Sequence, residues 1–133
     1  MTPGVPDQHP LRILLAEDSA AIRAFTKTYF KGTPYQLDVA ENGRIAVEMF
    51  QAVRYDLVFM DVEMPVLDGV SATREIRRWE QAEELDPAPI IALTSHDQKE
   101  KLLQTLEAGC TANLIKPLKQ DAMLAAIEEY RRR

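Results

Sequence analysis

One cysteine, Cys110, is all that the 133 residues offer, so no disulfide framework can be drawn and no cysteine-based metal site can be built. No apolar run approaches the roughly 20 residues of a membrane-spanning helix. The opening MTPGVPDQHP also lacks the apolar centre of a signal peptide. Excess positive charge is missing too: 16 Lys and Arg stand against 21 Asp and Glu, a formal charge of -5. A nucleic-acid partner would call for Lys and Arg gathered against its phosphates. The closing Arg131, Arg132 and Arg133 are a local exception, read as a solvated helix end or the start of a linker. These absences lead to three expectations: a reducing, cytoplasmic setting, no insertion of this chain into a membrane, and no nucleic-acid partner.

What is present is ordinary for a globular protein, with 46% hydrophobic and 28% charged residues. At this length about two thirds of the unfolded surface can be buried, enough for one domain around a single core. Short apolar runs alternate with longer stretches of helical period. RILLAE (12 to 17), QLDVA (36 to 40), DLVFMD (56 to 61), PIIALT (89 to 94) and NLIK (113 to 116) read as strands, most too uniformly apolar for a sheet with one wet face. Between them Ile22, Phe25 and Tyr29 mark a helical stripe, and Ala46, Met49, Phe50 and Val53 mark the next. Ala72, Ile76 and Trp79 follow, then Leu102, Leu103 and Leu106, then Met123, Ile127 and Tyr130. Ser19 and Asp97 fit helix N-caps, and Gly32 and Gly109 fall where C-caps are expected. Five strands alternating with five helices imply an α/β, doubly wound fold: right-handed crossovers deposit helices on both faces of a parallel sheet. The expected organisation is a tail over residues 1 to 10, which hold three prolines and a glycine, a domain over 11 to 130, and a basic end over 131 to 133.

The stretch DLVFMDVEMP runs apolar residues into Asp61 and stops at a proline. In an open parallel sheet, ligands bind beyond the carboxyl ends of the strands, and Asp61 lies at such an end. Strand one finishes at Glu17 and Asp18, strand four at Thr94 and strand five at Lys116. Three carboxylates, a hydroxyl and an ammonium therefore converge on one edge. Unpaired carboxylates repel each other, and a hard divalent cation that keeps several waters, as Mg²⁺ does, relieves that repulsion. Each residue also has a plain structural reading. Glu17 and Asp18 could be an acidic pair at a helix N-terminus, Asp61 a turn former, Thr94 an N-cap, and Lys116 a solvated residue before a proline. Four such coincidences at one edge make the joint site the better reading.

LLAEDS, DLVFMDVEMPVLDG, IIALTS and NLIKPL, in this order and at this spacing, resemble the receiver domains of two-component and phosphorelay signalling, the response-regulator family, over residues 11 to 130. The resemblance implies a flavodoxin-like (βα)5 fold with strand order 2-1-3-4-5. It implies that Asp61 accepts a phosphoryl group from a histidine of a kinase or of a histidine phosphotransfer domain, and that a downstream protein partner reads the result. Glu17, Asp18, Asp61 and the backbone carbonyl of Glu63 would hold Mg²⁺. Thr94 and Lys116 would contact the phosphoryl oxygens, and the bond from Lys116 to Pro117 would be cis. The chemistry of the residues supports those roles, since a carboxylate is a competent covalent acceptor and the rest is positioning and charge stabilisation.

Two departures stand out. Asn113 occupies a position where the family commonly carries Tyr or Phe, so a switch that couples Thr94 to an inward-moving ring has no ring here. Glu63 and His96 fall at variable positions that flank the phosphoryl group and are expected to set its lifetime. Haloacid dehalogenase phosphatases also use an aspartate nucleophile, Ser or Thr, Lys, acids and Mg²⁺, but in them the nucleophile ends the first strand, whereas here AED precedes FMD. A receiver-like binding module that never carries phosphate is a second alternative. No output domain follows residue 130 in this sequence, so the expectation is a single-domain regulator or a receiver from a hybrid histidine kinase, which MDVEMPVLDGVSATREIRRWE resembles more.

Overall fold

A computed structural model describes residues 10–131. Of the expected tail and basic end, only Pro10 and Arg131 are among them. Strands β1 (Leu11–Ala16), β2 (Tyr35–Ala40), β3 (Leu57–Asp61), β4 (Ile90–Thr94) and β5 (Ala112–Ile115) alternate with helices α1 (Ala20–Tyr29), α2 (Gly43–Ala52), α3 (Gly69–Ala82), α4 (Lys101–Ala108) and α5 (Gln120–Tyr130). A one-turn 3-10 helix, His96–Gln98, interrupts the passage from β4 to α4. Every pairing is parallel and the strand order is β2-β1-β3-β4-β5, the flavodoxin-like arrangement.

Uniform apolarity of the central strands follows from this topology. Successive side chains point to opposite faces, and here both faces are covered. Ile13, Leu15, Leu57, Phe59, Ile91 and Leu93 join Phe30, Met123 and Ile127 in one cluster. Leu14, Val58, Met60, Ile90 and Ala92 join Ala46, Phe50, Ala72 and Ile76 in the other. Burying one such large side chain is worth about 1.5–3 kcal/mol, so both layers hold the strand ends in register.

Some expectations are corrected. Ile22 and Phe25 on α1 do not face the core: Phe25 is 63% exposed, as are Leu103 (64%) and Leu106 (56%) on α4. The buried position on α1 is Thr26, whose hydroxyl donates to the Ile22 carbonyl at 2.7 Å and so enters the interior without an orphaned group. Tyr29 anchors the same helix by donating to the Leu118 carbonyl at 2.9 Å. Asp97 caps no helix. It lies inside the 3-10 turn, where its carboxylate accepts the Ser95 hydroxyl, and α4 begins after Glu100 with no side-chain cap. Gly109 does close α4 in the left-handed region, whereas α1 closes at Phe30 and Gly32 follows with φ 76°.

Candidate functional site

β1 hands the chain to Glu17, which is 1% exposed. One of its carboxylate oxygens accepts the Ser19 N–H at 2.9 Å, and its backbone carbonyl accepts from the Arg23 guanidinium at 2.8 Å. Ser19 in turn caps α1 by accepting the Ile22 N–H at 3.2 Å. The turn is pinned from both sides, which leaves Asp18 exposed at the rim. At the neighbouring strand end, Asp61 depends on a glycine for its place. The Gly69 N–H donates to the Val62 carbonyl at 2.8 Å, and a Cβ at position 69 would lie 2.0 Å from the Asp61 carbonyl oxygen. Only glycine lets α3 start this close to the strand. Asp68 then caps α3 through the Ser71 N–H at 2.8 Å.

Lys116 joins these two strand ends. Its Nζ is 2.9 Å from Asp61 Oδ2 and 3.1 Å from Glu17 Oε1. Carboxylate oxygens of Glu17, Asp18 and Asp61 all lie within 4.8 Å of one another, and the Lys116 ammonium pairs with two of the three, Glu17 and Asp61. Burial pushes the Asp61 carboxyl up to about 6; the Lys116 hydrogen bond and a backbone hydrogen bond with Glu63 draw it down, while Glu17 raises it. Burial alone would lower Lys116, but Asp61 and Glu17 outweigh it and hold the ammonium above its ordinary range. The donor set is all oxygen, partly open, and still short of positive charge, which fits a hard divalent cation that keeps waters.

β4 ends on Thr94, which is wholly buried, and its hydroxyl has no hydrogen-bond partner. After it, the Ser95 N–H donates to Gln98 Oε1 at 2.9 Å and the Gln98 N–H returns to the Ser95 carbonyl at 3.0 Å, closing the 3-10 turn. Asn113 on β5 donates to the Thr105 hydroxyl of α4 at 3.2 Å, and its amide oxygen is buried without a partner. The Lys116 to Pro117 bond is cis.

An open cleft of about 490 Å³ at this edge has Asp18, Asp61, Glu63, Ser95, Gln98 and Lys116 in its wall. His96, expected beside the site, is exposed and outside that wall. Ser95 and Gln98 were not among the residues singled out in the sequence, although Ser followed three positions later by Gln is a capping-box spacing that could have marked them.

Residues 13–128 match the family model described as the response regulator receiver domain. The chain is a response regulator receiver domain. It is 33% identical over 122 residues to the peroxide stress-activated histidine kinase Mak3 of Schizosaccharomyces pombe, covering 90% of this chain and 5% of Mak3. This receiver therefore spans only a small part of that relative's length. A solved receiver of sensor histidine kinase PA1611 from Pseudomonas aeruginosa, with magnesium coordinated in its active-site cleft, superposes with a TM-score of 0.79 at 33% identity, over 91% of this chain and 97% of that one. The Saccharomyces cerevisiae Ssk1 receiver, solved with the histidine phosphotransfer protein Ypd1, superposes with a TM-score of 0.86 at 27% identity, over 92% and 89% of the two chains. Membership in this family sets aside the haloacid dehalogenase reading. Among the described residues no helix of the receiver is long and apolar enough to cross a membrane.

Proposed function

We propose that the receiver takes a phosphoryl group onto Asp61 from a phosphohistidine of a histidine kinase or a histidine phosphotransfer protein, and that its altered surface is read by a downstream protein in the cytoplasm. Residues 11 to 130 are the unit that does this. The observation that carries the reading is the Asp61 carboxylate itself, 3% exposed yet in the cleft wall, with the Lys116 ammonium 2.9 Å from one oxygen.

In the transfer, an Asp61 oxygen bonds to phosphorus as the N–P bond of the donor breaks, and the imidazole leaves with that electron pair. Lys116 neutralises charge on the phosphoryl oxygens, and the unpartnered Thr94 hydroxyl is a donor with no other acceptor to serve. Glu17, Asp18, Asp61 and the Glu63 carbonyl would hold Mg²⁺, which when bound adds charge neutralisation at the acceptor and phosphoryl oxygens. Glu63, with its side chain at the cleft, bears on the lifetime of phospho-Asp61 through repulsion of other anions and control of attacking water. Asn113, tied to Thr105, supplies a polar contact with α4 in place of a ring.

The partner class is supported by a hollow of about 630 Å³ beside Lys116, lined by Ile22, Phe25, Thr26, Pro117 and Leu118. Its apolar wall explains why Phe25 can stay exposed: an amphipathic helix carrying the donor histidine would cover it. Incubation with acetyl phosphate and Mg²⁺ followed by intact-mass measurement tests the function. One added phosphoryl group, lost in Asp61→Asn, is the expected result. A wild-type protein that takes up none would make the domain a binding module instead.

A further inference from the structure

A phosphoryl group on Asp61 brings about two negative charges and three acceptor oxygens into the cleft. Ser95, the first residue after β4, lines that cleft, and its backbone N–H is a further donor there beside Lys116. In this structure that N–H is occupied. Gln98 folds its side chain back over the 3-10 turn and places its neutral amide oxygen 2.9 Å from the Ser95 nitrogen. Gln98 also lines the cleft, so the hydrogen bond lies where an anion above Asp61 would compete for the same donor. The Gln98 backbone N–H donates to the Ser95 carbonyl at 3.0 Å, which closes the turn that holds the side chain there. The Ser95 hydroxyl is turned to Asp97 and offers no substitute.

We propose that Gln98 is a placeholder acceptor that sets the affinity of the cleft for the phosphoryl group: its amide oxygen holds the Ser95 N–H in the unphosphorylated state and yields it to a phosphoryl oxygen. This inference rests on Asp61 being the phospho-acceptor. A backbone N–H at a half-buried strand end cannot be left without a partner cheaply, so the resting domain needs an acceptor there. An amide oxygen is the weaker choice, because hydrogen bonds to ionised oxygens are shorter and roughly twice as strong. The exchange therefore runs toward the phosphoryl group, but only after the neutral bond has been given up. A carboxylate at position 98 would hold the N–H too well and repel the incoming anion. An aliphatic side chain would leave the N–H to water and the anion. Gln98 thereby becomes a positioning residue whose removal strengthens binding, the opposite of what loss of a merely structural cap would do.

The test is a titration of the full chain with beryllofluoride and Mg²⁺, where the fluoride adduct stands in for the phosphoryl group, read by amide NMR. Before titration, the Ser95 amide proton of Gln98→Met should be shifted from its wild-type position because its acceptor is gone, with residues beyond the 3-10 turn unchanged. On titration, Gln98→Met should bind the adduct roughly two- to tenfold more tightly, the yield expected when one neutral hydrogen bond no longer has to be broken. Gln98→Glu should bind more weakly than wild type. Equal or weaker binding by Gln98→Met, or tighter binding by Gln98→Glu, overturns the proposal while leaving phosphorylation of Asp61 intact by mass. A wild type that neither binds the adduct nor gains phosphate removes both this inference and the functional reading beneath it.

Discussion

Two buried carboxylates lie at opposite ends of the sheet and are treated differently. Glu80, near the end of α3, is 3% exposed and has both oxygens served: Arg77 Nη1 at 2.8 Å on one and the Ala88 N–H at 2.8 Å on the other. Arg77 is itself held by the Gly109 carbonyl at 2.9 Å. That corner ties α3, β4 and the end of α4 together. Asp61 is equally buried, yet it shares Lys116 with Glu17, and its carboxyl is pushed up to about 6. The difference shows what a satisfied and an unsatisfied buried charge are for. Where each oxygen has a donor, the carboxylate is part of the scaffold; where negative charge is left uncompensated, as at Asp61, the carboxylate is a candidate for binding and chemistry.

The comparison is broken or sharpened most by Asp61→Asn. Phosphoryl incorporation should vanish altogether, because an amide is no acceptor, and without metal the thermal midpoint should rise rather than fall. The pH dependence fixes the sign. With its carboxyl pushed up to about 6 from the ordinary 3.8, folded Asp61 holds its proton more readily than the unfolded chain does, so its favourable contribution is complete at acid pH and is lost as pH rises through about 6. The gain in Tm from Asp61→Asn should be larger at about pH 7.5 than at about pH 5; calorimetry showing the reverse would refute the account of Asp61.

Glu80→Ala should do the opposite, costing about 3 kcal/mol in urea unfolding because it strands Arg77 and the Ala88 N–H, while the folded fraction still takes up phosphate. A loss within the range of an ordinary surface change would mean that the corner is not a scaffold. Next in size, Asp18→Asn should weaken Mg²⁺ binding about tenfold, or about 1.4 kcal/mol, since Asp18 is the one exposed acid of the cluster. Unchanged affinity by amide shift titration would place the cation elsewhere. The smallest effect concerns the loop after Asp61, where Val66 is 78% exposed with φ 69°. A β-branched residue is strained in that region and Asn is not. Val66→Asn should stabilise the domain by about 1 kcal/mol; a neutral or destabilising result would show that the loop does not hold that strain.

Much of this was legible in the chain. The strand runs were found to within about one residue at each end, within the usual spread of boundary assignment, because a parallel sheet buried on both faces forces unbroken apolar stretches. Glu17, Asp18, Asp61, Thr94 and Lys116 were legible because each follows such a stretch. The stripes on α1 and α4 misled, since periodicity reports that a helix has an apolar face and not whether the sheet or a partner covers it. Ile22, Phe25, Leu103 and Leu106 carry the same pattern as Ala46, Phe50 and Ile76, and only the latter are buried. Asp97 misled for a local reason: Ser95 captured the role of cap and drew the turn into a 3-10 form that a helix-period reading does not contain.

The order of the acidic pair, Asp61, Thr94 and Lys116 along the chain determined by itself which edge would gather these groups, because each βα unit returns the chain to the same side of the sheet. Which of those groups touch was decided by tertiary structure. Lys116 meets Asp61 across 55 positions, and meets Glu17 as well, because the parallel order β1-β3-β4-β5 puts the carboxyl ends of these strands on one edge, where the long Lys116 side chain reaches past β4. The raised Asp61 carboxyl likewise comes from burial and shared charge, neither of which a single residue's identity contains. The hold of Gln98 on the Ser95 N–H depends on one turn closing at the end of β4. Distances between strand ends follow from sheet order and register, which many separate contacts set together, so no local stretch could carry them.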